Sequence, residues 1–226
     1  DGLKYTFTIR DNAKFHDGKK ITASDFLWSF NRAANPSTTS TTAEDYLGDI
    51  IGVADVIAGK TSTISGIKMI DDQTIEINID APKAYFLAKL TYPVAFVLDK
   101  QNLSDPNWIE KPNGSGPFTL DEYLVGEKLI LKRNNNWHKD IAKLDYVSMN
   151  LAGGSAMAMY ENCEIDITGV GMSDLERVLD PSNILNKDVV VAPLDFSQYY
   201  IGFNLNEAPF DDIYFRQALA YSINKE

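Results

Sequence analysis

An α/β protein built on a mixed sheet is what this sequence predicts, and three observations carry the prediction. Short stretches rich in β-branched and aromatic residues alternate with stretches whose apolar residues recur every three or four positions, strand followed by helix. Turn-forming residues such as Asp17-Gly18, Asp71-Asp72 and Gly126 separate them. The chain has 226 residues, 44% of them hydrophobic, enough to bury a real core in one large or two modest domains.

Taken in order, Tyr5 to Arg10 alternates as a strand, and Lys14-Phe15-His16 before Asp17-Gly18 reads as a short extended piece closed by a turn. Thr22 with Asp25 three residues on has the spacing of a capping box, opening a helix through Phe26, Leu27, Phe30 and Ala33 with Trp28 on its flank. The hydroxyl-rich run from Asn35 to Thr42 is a solvent-facing loop or helix entry. From Ala43 the spacing predicts one continuous helix that buries Tyr46, Ile50, Val53 and Val56 and stops at Gly59. Ile67 to Ile79 reads as a hairpin around Asp71-Asp72, and Ala81-Pro82 starts a short helix through Tyr85, Phe86 and Leu90.

Tyr92-Pro93 breaks that helix, Val94 to Leu98 runs extended, and the polar Gln101–Gly114 stretch, anchored by Trp108, is the best internal boundary. Strands follow at Phe118–Leu120, Lys128–Lys132 and Leu144–Leu151. Ser155 then caps a helix to Tyr160, Glu164–Thr168 is a short strand, Ser173 starts another helix, and Val189–Val191 is a strand. Tyr199–Leu205 is predicted as a last strand, and Asp211 or Asp212 caps a helix with Phe215, Leu219 and Ile223 on one stripe.

Charge narrows the function. Twenty-one basic residues against thirty-two acidic ones leave a net −11, a field that repels phosphate backbones and anionic headgroups, so no nucleic-acid partner is expected. Cys163 is the single cysteine and has no disulfide partner; it reads as a small, semi-buried residue. His16 and His138 lack any metal-ligand spacing, so neither metal nor cofactor is expected. No run approaches the ~18 apolar residues of a membrane span. The glycine clusters Gly114-Ser115-Gly116, Gly153-Gly154 and Gly169-Val170-Gly171 complete neither a phosphate loop nor a dinucleotide fingerprint. Ser115 lacks a nucleophile setting, and the carboxylates form no identifiable acid/base pair, so no catalytic residue is assigned. Eleven tyrosines stand out instead, with Tyr46, Tyr92, Tyr199 and Tyr200 at element ends, where a ring packs while its hydroxyl faces a cleft.

Four separated stretches, YTFTIRDNAKFHDGKKITASDFLWSFNR, GSGPFTLDEYLVGEKLILKRNNNWH, CEIDITGV and YIGFNLNEAPFDDIYFRQALAYSINKE, resemble in order segments of the family 5 extracellular solute-binding proteins, which serve oligopeptide, dipeptide and nickel ABC importers. NPSTTSTTAEDYL and LTYPVAFVLDK make the likeness nearest to the oligopeptide type. The resemblance implies a periplasmic-binding-protein-like class II first lobe with an accessory subdomain. Residues 1–100 would be that subdomain, 101–200 the α/β core, and 201–226 a crossing to a second lobe that lies beyond the chain, as do an export signal and a lipid anchor. It implies no enzymatic activity, an oligopeptide ligand, an ABC permease as partner, and membrane association only through the anchor. Ligand contacts are expected at Thr42, Tyr46, Tyr92, Gly169, Val170, Tyr199 and Tyr200. Oligopeptide binders can carry a ligand-touching tyrosine where this chain has Thr41-Thr42, and their usual glycine before Glu-Ile-Asp is Cys163 here. These 226 residues alone are expected to bind peptide weakly or not at all. Phe215, Leu219 and Ile223 are expected to fold back on the first lobe or be covered by a neighbouring chain. A nickel or other metal chelate is the rival ligand; a cleft hydrolase or a carbohydrate-binding module is the rival class.

Overall fold

The computed structural model describes residues 2–193 and 200–224 and divides into two compact units, Asp1–Gly154 and Ser155–Glu226.

In the first unit, strand β1 (Lys4–Thr8) pairs antiparallel with β3 (Thr74–Asn78), which pairs antiparallel with β2 (Ile67–Met69), giving the order β1-β3-β2. The β2–β3 hairpin forms where expected: Asp71 Oδ1 accepts from the Gln73 amide at 2.7 Å, a side-chain bond that closes the turn. Strand periodicity puts Ile75 and Ile77 inward, and Phe15, Leu47, Ile50, Val53 and Phe86 join them in one core. Helix α1 (Ala23–Ala34) lies over it. The expected capping box is present, with Asp25 Oδ2 accepting from the Thr22 amide and hydroxyl, both at 2.9 Å. Lys14–His16 makes a single bridge, Lys14 to Lys20, around the turn at Asp17-Gly18.

The single helix expected from Ala43 is two: α2 (Ala43–Leu47) and α3 (Val53–Ile57). Between them the backbone leaves the helix to bond the sheet. The Ile51 amide donates to Asn78 O at 3.1 Å, the Gly66 amide donates to Ile51 O at 2.7 Å, and Gly52 adopts φ +90°. Ile50, Val53 and Val56 are buried as expected, but Leu47 takes the inward place expected for Tyr46, which stays half-buried; the three-residue spacing from Leu47 to Val56 survives the break between two short turns. Helix α4 (Phe86–Lys89) and a 3₁₀ turn at Pro93–Ala95 follow; the expected extended run begins only at Phe96. A second antiparallel sheet, β4 (Phe118–Leu124), β5 (Lys128–Arg133) and β6 (Tyr146–Asn150), turns at Gly126, φ +76°. Both sheets lie inside the first compact unit.

The second unit holds α5 (Ala156–Glu161), α6 (Met172–Leu179), a 3₁₀ turn at Ile184–Asp188 and α7 (Ile213–Ser222). Ser155 caps α5 as expected, its Oγ accepting from the Ala158 amide at 3.3 Å. The α5 exit is a Schellman turn: the Cys163 amide donates to Tyr160 O and the Glu164 amide to Met159 O, with Cys163 in the left-handed region at φ +60°. Cys163 is exposed, not semi-buried. Arg177 joins α6 to α5 through Glu161 at 2.6 Å.

Three predicted strands are not formed among the described residues. Glu164–Thr168, Val189–Val191 and 200–205 carry strand-forming side chains but no ladder partner, and a strand exists only in a ladder. Tyr199 lies outside the described residues. Asp212 is the α7 cap, its Oδ1 accepting from Tyr214 at 2.7 Å. Within the second unit the α7 stripe is partly covered: Phe215 and Ile223 are 40% and 49% exposed, Leu219 is half-buried, and Phe215 meets Phe210, just before its own helix, ring to ring at 5.9 Å.

Candidate functional site

The first-unit candidates are built from the Asn35 turn upward. Asn35 Oδ1 accepts from the Ser37 amide and hydroxyl, Pro36 supplies a preset φ, and Ser40 Oγ accepts from the Ala43 amide at 3.1 Å to start α2. Thr42 is the N-terminal residue of that helix through its carbonyl, which accepts from Tyr46; its side chain makes no cap bond. One turn on, Tyr46 meets Tyr92, the rings stacked at 3.7 Å between centroids and 9° between planes. Tyr92 is held extended before Pro93 and stays partly exposed.

A charged cluster adjoins this pair through Lys89, whose carbonyl accepts from the Tyr92 amide at 3.1 Å. Buried Asp49 takes Lys83 Nζ on Oδ1 at 2.7 Å and Lys89 Nζ on Oδ2 at 2.8 Å, while Lys83 also reaches Asp80 at 2.8 Å. Burial alone would raise the Asp49 carboxyl, but the two ammoniums outweigh it and hold the group below the usual carboxylate range. Lys89 also lies over the Tyr85 ring, 5.2 Å from its centroid. Partial burial and the adjoining Tyr92 phenol push the Tyr46 hydroxyl up from its ordinary value. The result is a flat stacked aromatic pair with two hydroxyls; Tyr85, Leu87 and Phe96, close to Tyr92 along the chain, are exposed as well. Such a surface suits packing against an extended ligand.

In the second unit Gly169 and Val170 line an open apolar depression of about 810 Å³ with Tyr160, Leu175, Val178 and Val189. Tyr200 is 82% exposed and is not part of that lining. Tyr46 and Tyr92 are thus brought together, with Thr42 at the start of the same helix. Gly169-Val170 and Tyr200 belong to the other unit, and Tyr199 is not described. Sequence reading missed Asp49, Lys83, Lys89 and Tyr85. Only the Asp80-to-Lys83 spacing was a visible signal; Asp49 meets its lysines 34 and 40 positions away, a distance no local pattern records. Among the described residues no group of three or more His, Cys, Asp or Glu is gathered to hold a metal, and no helix is long and apolar enough to cross a membrane.

Residues 1–226 match the family model for bacterial extracellular solute-binding proteins, family 5 Middle. The chain is similar to the dipeptide-binding protein DppE of Bacillus subtilis, 29% identical over 100% of this chain and 42% of the relative. It is similar to the periplasmic oligopeptide-binding protein OppA of Salmonella typhimurium, 31% identical over 98% of this chain and 42% of the relative. Likewise it resembles the probable deoxycholate-binding periplasmic protein YgiS of Escherichia coli, 28% identical over 100% and 43%. Among solved structures, the Escherichia coli murein tripeptide binding protein MppA superposes with TM-score 0.86 at 30% identity, covering 100% of this chain and 45% of that one. The Haemophilus influenzae OppA complex with RPPGFSPFR shares the fold, TM-score 0.80, over 99% and 45%. The expected periplasmic-binding-protein-like architecture is the one these structures display, and the chain spans less than half the length of the relatives it matches. With the whole sequence matched, the chain belongs to the bacterial extracellular solute-binding proteins of family 5.

Proposed function

We propose that this chain is part of the substrate-binding component of an ABC importer, which captures oligopeptides outside the cytoplasmic membrane and hands them to the permease. The observation that carries the reading is the likeness over the whole chain, at 30% identity and TM-score 0.86, to a tripeptide binding protein. The mode is binding without chemistry. An extended peptide satisfies its backbone by strand-like hydrogen bonds while its side chains enter roomy, wet pockets. In this reading Thr42, Tyr46 and Tyr92 form one contact surface, and Gly169, Val170, Tyr199 and Tyr200 contribute another. Residues 1–100 act as the accessory subdomain, 101–200 as the first-lobe core and 201–226 as the crossing.

A second reading is favoured by one specific observation: a relative of nearly the same identity is named for deoxycholate, an amphipathic steroid acid rather than a peptide. Mass spectrometry of the ligand that co-purifies with the full-length protein separates the two. A peptide mixture supports the proposal, and weaker peptide binding in Tyr92→Ala by calorimetry would place the stacked pair at the ligand. A bile acid or a metal chelate in place of peptide overturns it.

A further inference from the structure

The chain has two histidines, and both lie where the first sheet's layer meets the second within Asp1–Gly154. From the loop after β1, the His16 amide donates to Gly114 O at 2.8 Å, and His16 Nε2 stands 3.2 Å from Gly116 O. The same Gly116 carbonyl accepts from Asn134 Nδ2 at 2.9 Å, and Asn134 is itself buried. A few residues away, Asn12 Nδ2 donates to His138 O at 3.3 Å. One loop, residues 10–17, thus grips two, 113–117 and 134–138.

The ring nitrogens make this grip conditional. A carbonyl only accepts, so Nε2 of His16 carries the proton and Nδ1 presents a bare lone pair. Nδ1 of His16 and Nδ1 of His138 are both buried without a hydrogen-bond partner. A proton added there becomes a buried cationic donor with nothing to receive it. The His16 ring lies against Gly114, close enough that an added Cβ there would stand 3.2 Å from Cε1.

The surrounding charges do not rescue the imidazolium. Asp17 favours it at His16. The other groups around that pocket are Asp99, Glu110, Lys111 and Asp121, and Asp99 is already engaged by Lys19 Nζ and Asn113 Nδ2, each at 2.8 Å. At His138 the neighbours are Lys139 and, from the first sheet's side, Arg10, both opposing protonation. Burial is the largest influence on both rings and lowers both below the ordinary imidazole value.

We propose that this contact is an acid-operated latch: protonation of His16 and His138 releases the β4–β6 sheet from the β1–β3 layer while each sheet stays folded. A lowered folded-state pKa means the folded form binds fewer protons. The contact is therefore fully stable above ~6.5 and weakens as pH falls from there through the lowered values.

The test is amide hydrogen exchange by mass spectrometry on the full chain at pH ~7.5 and ~5, corrected for intrinsic rates, alongside NMR titration of both imidazoles. On acidification the His16 and Asp17 amides should lose about fivefold or more of their protection, the low end of what a buried unsatisfied donor costs, while β3 amides keep theirs. The double variant His16→Gln/His138→Gln, whose amides stay neutral, should lose that step. Equal acid opening in variant and wild type would overturn the latch. So would an imidazole titrating at or above ~6.5 in the wild type, a readout that does not depend on the variant folding.

Discussion

Replacing Asp49 by Asn keeps the shape of the side chain and removes the one negative charge that Lys83 and Lys89 share, at 2.7 and 2.8 Å. Asp49 is 7% exposed, so the substitution disturbs an interior charge. Breaking a fully buried pair costs about 3–5 kcal/mol, and an exposed pair about 0–1 kcal/mol. The lysine side chains are 20% and 24% exposed, so their ammoniums regain water, and the Asn oxygen still accepts from one of them. The expected loss falls between the limits, about 2 kcal/mol, a sizeable share of a domain's ~5–15 kcal/mol. Urea unfolding at pH 7, followed by tryptophan fluorescence, reads it as a lower midpoint with unchanged slope. The folded-state pKa of Asp49 is depressed, so its contribution is complete above the unfolded value of ~3.9 and fades as pH falls through the folded value. Wild type and variant should therefore converge in strong acid. A loss under about 0.5 kcal/mol at pH 7, or a difference that persists unchanged to pH ~2, would refute the reasoning.

Three further outcomes follow from local geometry. Phe86 is fully buried and its ring meets Tyr5 at 4.9 Å, so Phe86→Ala should cost about 3–5 kcal/mol in urea unfolding and loosen α4. At Gly52, φ +90°, an added Cβ would stand 2.4 Å from Ser65 Oγ and 2.7 Å from Ser65 N, whereas at Gly126, φ +76°, nothing lies within 4 Å. Gly52→Ala should cost more than about 2 kcal/mol and Gly126→Ala only about 1 kcal/mol of backbone strain; equal midpoints would contradict the packing argument. Cys163 occupies the left-handed position of a Schellman turn, so Cys163→Gly should raise stability by about 0.5–1 kcal/mol, and a lower melting temperature would count against that turn.

The sequence by itself determined the elements whose stabilising bonds are local. Thr22 and Asp25 sit three apart and cap α1, Asp71 folds back on Gln73, Ser155 and Asp212 bond amides two or three residues on, and each was legible because both partners lie within one turn. The stretches that carry the family likeness were legible too, being continuous. Tertiary structure decided everything whose partner is distant. The helix from Ala43 breaks because Ile51 finds better partners in Asn78 and Gly66 than in the helix, a choice no apolar spacing contains. Glu164–Thr168 and Val189–Val191 have strand chemistry but form no ladder, since pairing belongs to two segments and propensity to one. The candidate site shows the same division. Tyr46 and Tyr92 each read as a tyrosine at an element end, but only the fold stacks them and sets Asp49 between two lysines far along the chain, because contact in space is made by packing, not by order in sequence.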